Sequence, residues 1–328
     1  MSQLLKIKDL SIHIKTEETF FKVVEKVNLE LEENQVLGLV GESGCGKTML
    51  SLALMQLLPS GISVKNGEIF FEGRDILKLN PEQMRELRGP GIAMIFQDPM
   101  TSLNPVFSVE DLLTQPIRIH EGVSRDDAGK KAREMLEKVG ITPAEKRMSQ
   151  YPHQFSGGQR QRIMIASALS MDPRLLIADE PTTALDVSIQ AQILELMRKL
   201  QSDFKTSLIF ISHNLGVISE IAQKVAVMYA GWIVEEAPVR EIFSNPLHPY
   251  TRALIKAIPS IKTKKEKLTS LPGQPPGTGV IVTGCKLHPR CPEMIPGLCN
   301  KKEPEDYQIN ENHRVKCFSA GPSQGDKE

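Results

Sequence analysis

Apolar and polar residues alternate from Leu5 to Ile14 and again through Val27-Asn28-Leu29-Glu30-Leu31. A period of two turns one face of each segment to a core and the other to water, so an antiparallel β-layer is expected at the N-terminus. Asn66-Gly67 stands between Ile62-Ser63-Val64 and Ile69-Phe70-Phe71. Both residues tolerate positive φ, and a tight hairpin joining that layer is expected. Three other runs, Val36 to Val40, Leu175 to Ala178 and Leu208 to Ile211, are continuously apolar and each precedes a helix-like segment. That is the pattern of parallel strands covered on both faces, and it predicts an α/β nucleotide-binding core.

Asp186 to Leu200 sets Ile189, Ile193, Leu196, Met197 and Leu200 on one helical face, with Asp186 available as the cap. Between residues 100 and 170 the period is helical. Ser108-x-x-Asp111 and Ser124-x-x-Asp127 resemble helix starts, and Ala128, Ala132, Met135, Leu136 and Val139 are spaced as a face. A helical insert is expected there. No segment repeats at a fixed period. The basic stretch Lys262-Thr263-Lys264-Lys265 precedes Leu271-Pro272-Gly273-Gln274-Pro275-Pro276-Gly277, and the main domain is expected to end before it. The division expected is a domain over residues 1–258 and a C-terminal extension over 259–328.

Length and composition narrow the class. A chain of 328 residues exceeds the usual domain size, and 40% apolar with 24% charged residues fits an ordinary globular protein. Forty basic and forty acidic side chains balance, so no net field calls for nucleic acid as a partner. The opening Met1-Ser2-Gln3-Leu4-Leu5-Lys6 lacks the apolar core of a secretory signal, and the uncharged run Met49 to Ser63 is too short to span a bilayer. A cytosolic protein that reaches a membrane only through a partner is expected. Four of the five cysteines lie between residues 285 and 317. In a reducing compartment, metal ligation is the favoured reading of such a cluster.

Gly41-Glu42-Ser43-Gly44-Cys45-Gly46-Lys47-Thr48 fits the phosphate-loop pattern G-x-x-x-x-G-K-[ST], between a buried strand and a helix. Its glycines let successive N–H groups and a helix N-terminus face phosphate, Lys47 pairs with β/γ oxygens and Thr48 holds Mg²⁺. Cys45 occupies a free position of the pattern. Leu175-Leu176-Ile177-Ala178-Asp179-Glu180 is an apolar strand ending in two carboxylates. The first, Asp179, is expected to orient Mg²⁺ and the second, Glu180, to polarise a water towards the γ-phosphate.

Phe155-Ser156-Gly157-Gly158-Gln159-Arg160-Gln161-Arg162 resembles the signature sequence of the ABC ATPases. Ser156 and two flexible glycines opening a helix form a second N-terminal anion site. The resemblance implies that the signature of one subunit, Ser156, Gly157, Gly158 and Gln159, covers the γ-phosphate held by the loop of another, in a head-to-tail dimer. It also implies a Q-loop at Gln97, which follows Ile92 to Phe96 and touches Mg²⁺ or the attacking water. Ala184-Leu185-Asp186 matches the D-loop, whose Asp186 links the two sites. His213 matches the switch histidine, and Phe20 or Phe21 stacks on adenine. The resemblance spans residues 4 to 258.

Asn245-Pro246-Leu247-His248-Pro249-Tyr250-Thr251-Arg252-Ala253-Leu254 is similar to a segment of the oligopeptide and dipeptide importer ATPases. The region holding Cys285, Cys291, Cys299 and Cys317 is similar to that subfamily's C-terminus, which in several members carries a [4Fe-4S] cluster. The cysteines are separated by five, seven and seventeen residues. Four thiolates suit iron–sulfur or zinc. The absence of a C-x₂-C spacing favours iron–sulfur, while His288 and His313 keep a mixed-ligand zinc site open. The fold class implied is α/β, a P-loop NTPase core of ABC type with an N-terminal antiparallel β-layer, a helical signature subdomain and a small loop-rich C-terminal metal module. The function implied is ATP hydrolysis that energises peptide import at the cytoplasmic face of the membrane. Its partners would be a second ATPase subunit, paralogous or identical, two transmembrane permease subunits and, indirectly, an extracytoplasmic peptide-binding protein. Nickel import by the same subfamily is the alternative.

Overall fold

The N-terminal alternation forms two long strands, β1 (Gln3–Lys15) and β2 (Phe20–Glu32). The computed structural model describes residues 2–16, 19–183, 185–258, 271–277 and 279–321. The basic stretch 262–265 and Ala184 of the expected D-loop lie outside them. The described residues fall into two compact units. Those within Met1–Ser2, Glu32–Gln35 and Lys78–Ile211 form one, here the signature unit, and those within Gln3–Leu31, Val36–Leu77 and Ser212–Glu328 form the other, the phosphate-loop unit.

The phosphate-loop unit continues with β3 (Val36–Val40), α1 (Lys47–Leu54), β4 (Ile62–Phe71) and β5 (Arg74–Asp75), and its N-terminal sheet has the order β2-β1-β4-β5. The expected hairpin at Asn66-Gly67 is absent, because β4 runs through both residues and pairs with β1 from Leu5↔Phe71 to Ile14↔Ile62. The register shifts on either side of Ser11↔Asn66. Gly67 has φ 104°, and a Cβ there would lie 2.5 Å from Leu10 Cα and 2.6 Å from the Lys8 carbonyl oxygen. Glycine serves a bulge at which β1 closes on β4. A bulge and a turn ask for the same residue, and only the distant partner strand tells them apart.

The signature unit holds α2 (Pro81–Leu87), β6 (Ile92–Ile95), α3 (Pro99–Ser102), α4 (Val109–Glu121), α5 (Arg125–Lys138), α6 (Ala144–Met148), α7 (Gly157–Leu169), β7 (Leu175–Asp179), α8 (Val187–Phe204) and β8 (Ser207–Ser212). Strands β6, β7 and β8 pair in parallel. Every residue of each is buried, which explains why these segments carry no polar alternation. In the helical insert Ser108 and Ser124 cap α4 and α5 by accepting from the N–H groups of Asp111 and Asp127. Ala128, Ala132, Leu136 and Val139 are fully buried. Asp186 stands at the cap position of α8 but makes no side-chain cap hydrogen bond.

The phosphate-loop unit resumes with α9 (Leu215–Ile221), β9 (Lys224–Tyr229), β10 (Trp232–Pro238), α10 (Val239–Ser244), α11 (Pro249–Lys256), β11 (Tyr307–Asn310) and β12 (His313–Val315). Strand β3 pairs in parallel with β9, and β9, β10, β12 and β11 follow in antiparallel order. The C-terminal segment therefore extends the sheet that carries the phosphate loop. No described helix is long and apolar enough to cross a membrane.

Candidate active site

In the phosphate-loop unit, the loop Gly41 to Gly46 leaves the buried end of β3 and enters α1 at Lys47. Gly41 lies against β9, where a Cβ would come 2.1 Å from the Met228 carbonyl oxygen, and Gly46 takes φ 109°. No side chain fits at either position without moving backbone. Lys47 is buried, and its Nζ donates to the carbonyls of Gly41 at 2.8 Å and Glu42 at 3.1 Å, which curls it over the loop. Ser43 and Gly44 are exposed and Thr48 is half-buried in the first turn of α1, whereas Cys45 is 4% exposed and faces inward. Burial pushes the Cys45 thiol pKa up, against the pull of the Lys47 charge.

Phe20, Phe21, Val23, Gly44 and Ala230 line a cavity of about 260 Å³ together with Gly277 and Gly279 to Val282 of the C-terminal segment. Phe20 is 53% exposed. The Phe21 ring is covered by the backbone of Gly279, whose Cβ would lie 3.3 Å from it. His213 follows β8, is exposed, and stands directly before Asn214, the cap of α9.

In the signature unit, Asp179 ends β7 and is 1% exposed. Glu180 follows with φ 47°, its N–H donating to the Ile211 carbonyl at 3.0 Å. Its carboxylate accepts from Thr183 Oγ1 at 2.8 Å and from Gln97 Nε2 at 3.4 Å. The structure thus brings Gln97 to Glu180 across 83 residues of sequence. Ser156 caps α7 reciprocally, since its Oγ accepts from the Gln159 N–H at 3.4 Å and Gln159 Oε1 accepts from the Ser156 N–H at 3.0 Å. Gly157 has nothing within 4 Å of where a Cβ would stand, and Gly158 has only Ile189 of α8, at 3.0 Å. Ser156 to Gln159 and Asp186 line one open cleft of about 570 Å³. Thr183 was not singled out from sequence, although its place three residues after Glu180 suits a hydroxyl that folds back on a carboxylate.

The residues of this chain match the ABC transporter family over 24–183 and the family described as oligopeptide/dipeptide transporter, C-terminal region, over 234–299. The oligopeptide transport ATP-binding protein OppD of Bacillus subtilis is 47% identical across 98% of this chain and 90% of its own length. The dipeptide transport ATP-binding protein DppD of Escherichia coli is 43% identical across 96% of both chains. The chain belongs to the ATP-binding subunits of the oligopeptide/dipeptide ABC transporters. Among solved structures, the ATP-binding cassette MJ0796, a dimer in a post-hydrolysis state with ADP and Pi, superposes with a TM-score of 0.65 at 25% identity. It covers 72% of this chain and 99% of its own. This subunit is an ATP-hydrolysing enzyme of that family.

The subfamily's segment around His248 has a structural role beneath the phosphate loop. Tyr250 is fully buried and its hydroxyl accepts from the Glu42 N–H at 2.8 Å. Its ring packs at 4.7 Å on that of Tyr229. His248 caps α11 with Nδ1 accepting from the Tyr250 N–H. Cys285, Cys291, Cys299 and Cys317 line one small cavity with His248 and His288. Burial and the three neighbouring sulfurs help push the Cys285 thiol up to about 11, against hydrogen bonding from the Leu287 backbone. Among the described residues, however, no three His, Cys, Asp or Glu side chains form a group that could hold a metal ion, so the expected metal module is not seen as such. His313 lies outside that cavity. Its Nε2 is 2.9 Å from Glu235 and its Nδ1 3.1 Å from Glu241, so both ring nitrogens are committed to carboxylates and it is not a zinc ligand here.

Proposed function

We propose that this subunit binds ATP on Gly41, Ser43, Gly44, Cys45, Gly46, Lys47 and Thr48, hydrolyses it with Glu180, Gln97 and His213, and thereby drives peptide import through separate permease subunits. The observation that carries the reading is the loop itself. A buried lysine is curled over paired backbone carbonyls at the start of a helix, with glycines where no Cβ fits. Lys47 and the loop N–H groups bind the β- and γ-phosphates. Thr48, Asp179 and Gln97 are the residues that would hold Mg²⁺, which when bound neutralises charge on those phosphates. Glu180 orients a water for in-line addition to the γ-phosphorus and accepts its proton while the bond to the β–γ bridging oxygen breaks, leaving ADP and phosphate. His213 contacts the γ-phosphate oxygens. Phe20, the more exposed of the two candidates, stacks on adenine, and the covered ring of Phe21 supports that choice.

Ser156 to Gln159 and Asp186 face the nucleotide of a second ATPase subunit. The open space at Gly157 and the shared cleft support that assignment. Exposed apolar side chains that follow Gln97 in the chain, among them Met100, Val106 and Phe107, suit contact with permease helices, which keeps the subunit peripheral at the cytoplasmic membrane face. The names of the relatives favour peptide over nickel as cargo.

The four thiols are the ligands we assign to a [4Fe-4S] cluster. Their chemistry fits, because four sulfurs share one cavity and the iron would supply the positive charge that turns neutral thiols into ligands. The reading is tested by reconstituting the subunit with its permeases and receptor in vesicles. ATP hydrolysis should rise when a peptide-loaded receptor is enclosed; a rise with chelated nickel and none with peptide would reverse the cargo.

A further inference from the structure

Glu42, the second residue of the phosphate loop, is gripped by parts of the chain more than two hundred residues away. Its N–H donates to Tyr250 Oη at 2.8 Å. Its carboxylate receives Arg290 Nη1 at 2.8 Å on one oxygen and Nη2 at 3.1 Å on the other. Arg290 is only 7% exposed. Its Nε donates to the Pro272 carbonyl at 3.0 Å, Nη1 also reaches Tyr229 Oη at 3.3 Å, and the guanidinium lies 5.8 Å from the Tyr229 ring centre. A planar fork with partners on three nitrogens has one orientation, and a lysine could not reproduce it.

Glu42 also supplies one of the two carbonyls that accept from Lys47 Nζ. A shift of Glu42 therefore shifts the lysine that faces the phosphates. Arg290 itself sits in the turn Leu287 to Cys291, directly before a cysteine that lines the four-thiol cavity.

We propose that Arg290 is a positioning residue of the ATP site, fixing Glu42 and through it the loop and Lys47, so that the turn Leu287 to Cys291 is part of the nucleotide-binding machinery. The proposal rests on the reading that ATP occupies Gly41 to Thr48. Losing the fork leaves the loop folded but misplaced, which weakens binding of the triphosphate without removing any group that touches it.

The experiment uses the full chain and measures ATP affinity, KM, kcat and the nucleotide-free thermal midpoint. The variants are Arg290→Gln, Arg290→Lys, Glu42→Gln and the double variant, with Lys47→Ala as reference and Asp306→Asn as control. Asp306 pairs with Lys316 in the same segment, 3.1 Å apart, and has no part in the Arg290–Glu42 fork. Arg290→Gln and Glu42→Gln should each weaken ATP binding and raise KM by about ten-fold, with kcat at saturation changed less than KM. The double variant should be no worse than either single one, because both remove the same contact. Arg290→Lys should fall between, and Asp306→Asn should match the wild type. Single variants that bind ATP like the wild type while Lys47→Ala does not, or additive effects in the double variant, overturn the proposal. A lowered thermal midpoint with unchanged KM does the same. If Lys47→Ala binds ATP normally, the site reading itself fails. Should Arg290→Gln not fold, Glu42→Gln carries the test, because the Glu42 side chain is 32% exposed and its backbone bond to Tyr250 survives.

Discussion

The Glu180 carboxylate accepts a hydrogen bond from the Thr183 hydroxyl at 2.8 Å while its own backbone is held at φ 47°, in the left-handed region. A side chain other than glycine pays roughly 1–3 kcal/mol to stay there, and surrounding structure must hold it in place. Strand β7 and the N–H bond to Ile211 supply that constraint. The result is a carboxylate aimed off the strand end with its rotamer set by a neighbour.

Glu180→Gln keeps the shape and the Thr183 contact but cannot take a proton. ATP binding should persist while phosphate release falls by about 10²–10⁴-fold. Parallel measurement of nucleotide binding and turnover checks this, and turnover close to wild type would remove Glu180 from the base role.

The four thiols lead to a chemical prediction. Protein purified without oxygen should contain iron and acid-labile sulfide in equal amounts and absorb visible light, and Cys299→Ser should lose both. Metal analysis that finds zinc without sulfide would replace the cluster by a zinc site.

Gly67 is required by the bulge. Gly67→Val places a branched side chain at φ 104° against the backbone of Lys8 and Leu10. Destabilisation of about 3 kcal/mol or more is expected in chemical denaturation. A loss below about 0.5 kcal/mol, the level of an ordinary surface change, would mean the strand pairing is misassigned.

His248 makes stability depend on pH. Burial, with a smaller contribution from the Arg252 charge, lowers its pKa from 6.5 to about 3. Below pH 6.5 the unfolded chain takes up a proton that the folded chain refuses. The stability due to the neutral ring is therefore complete above 6.5 and is lost progressively as pH falls towards 3. At pH 5 the loss is about 2 kcal/mol. Thermal midpoints of wild type and His248→Asn between pH 7 and 5 should diverge in slope, the variant being flatter; parallel curves would show that the imidazole is not buried as described.

What the sequence determined by itself was the set of features that a few contiguous residues settle in one way only. The phosphate loop follows a buried strand, Asp179 and Glu180 end another, and Ser156 caps the signature helix, because these features rest on local φ, ψ and hydrogen bonding within a few residues. The caps at Ser108 and Ser124 were legible for the same reason. The tertiary structure alone decided which distant segments meet. Asn66-Gly67 satisfies a turn or a bulge equally well until β1 lies beside it. His313 has the chemistry of a metal ligand until Glu235 and Glu241 close on it. Arg290 reads as one of forty basic residues until the chain returns it to Glu42, 248 positions away. No local pattern encodes such contacts, since they depend on how the sheet is ordered and on where each strand delivers the next turn.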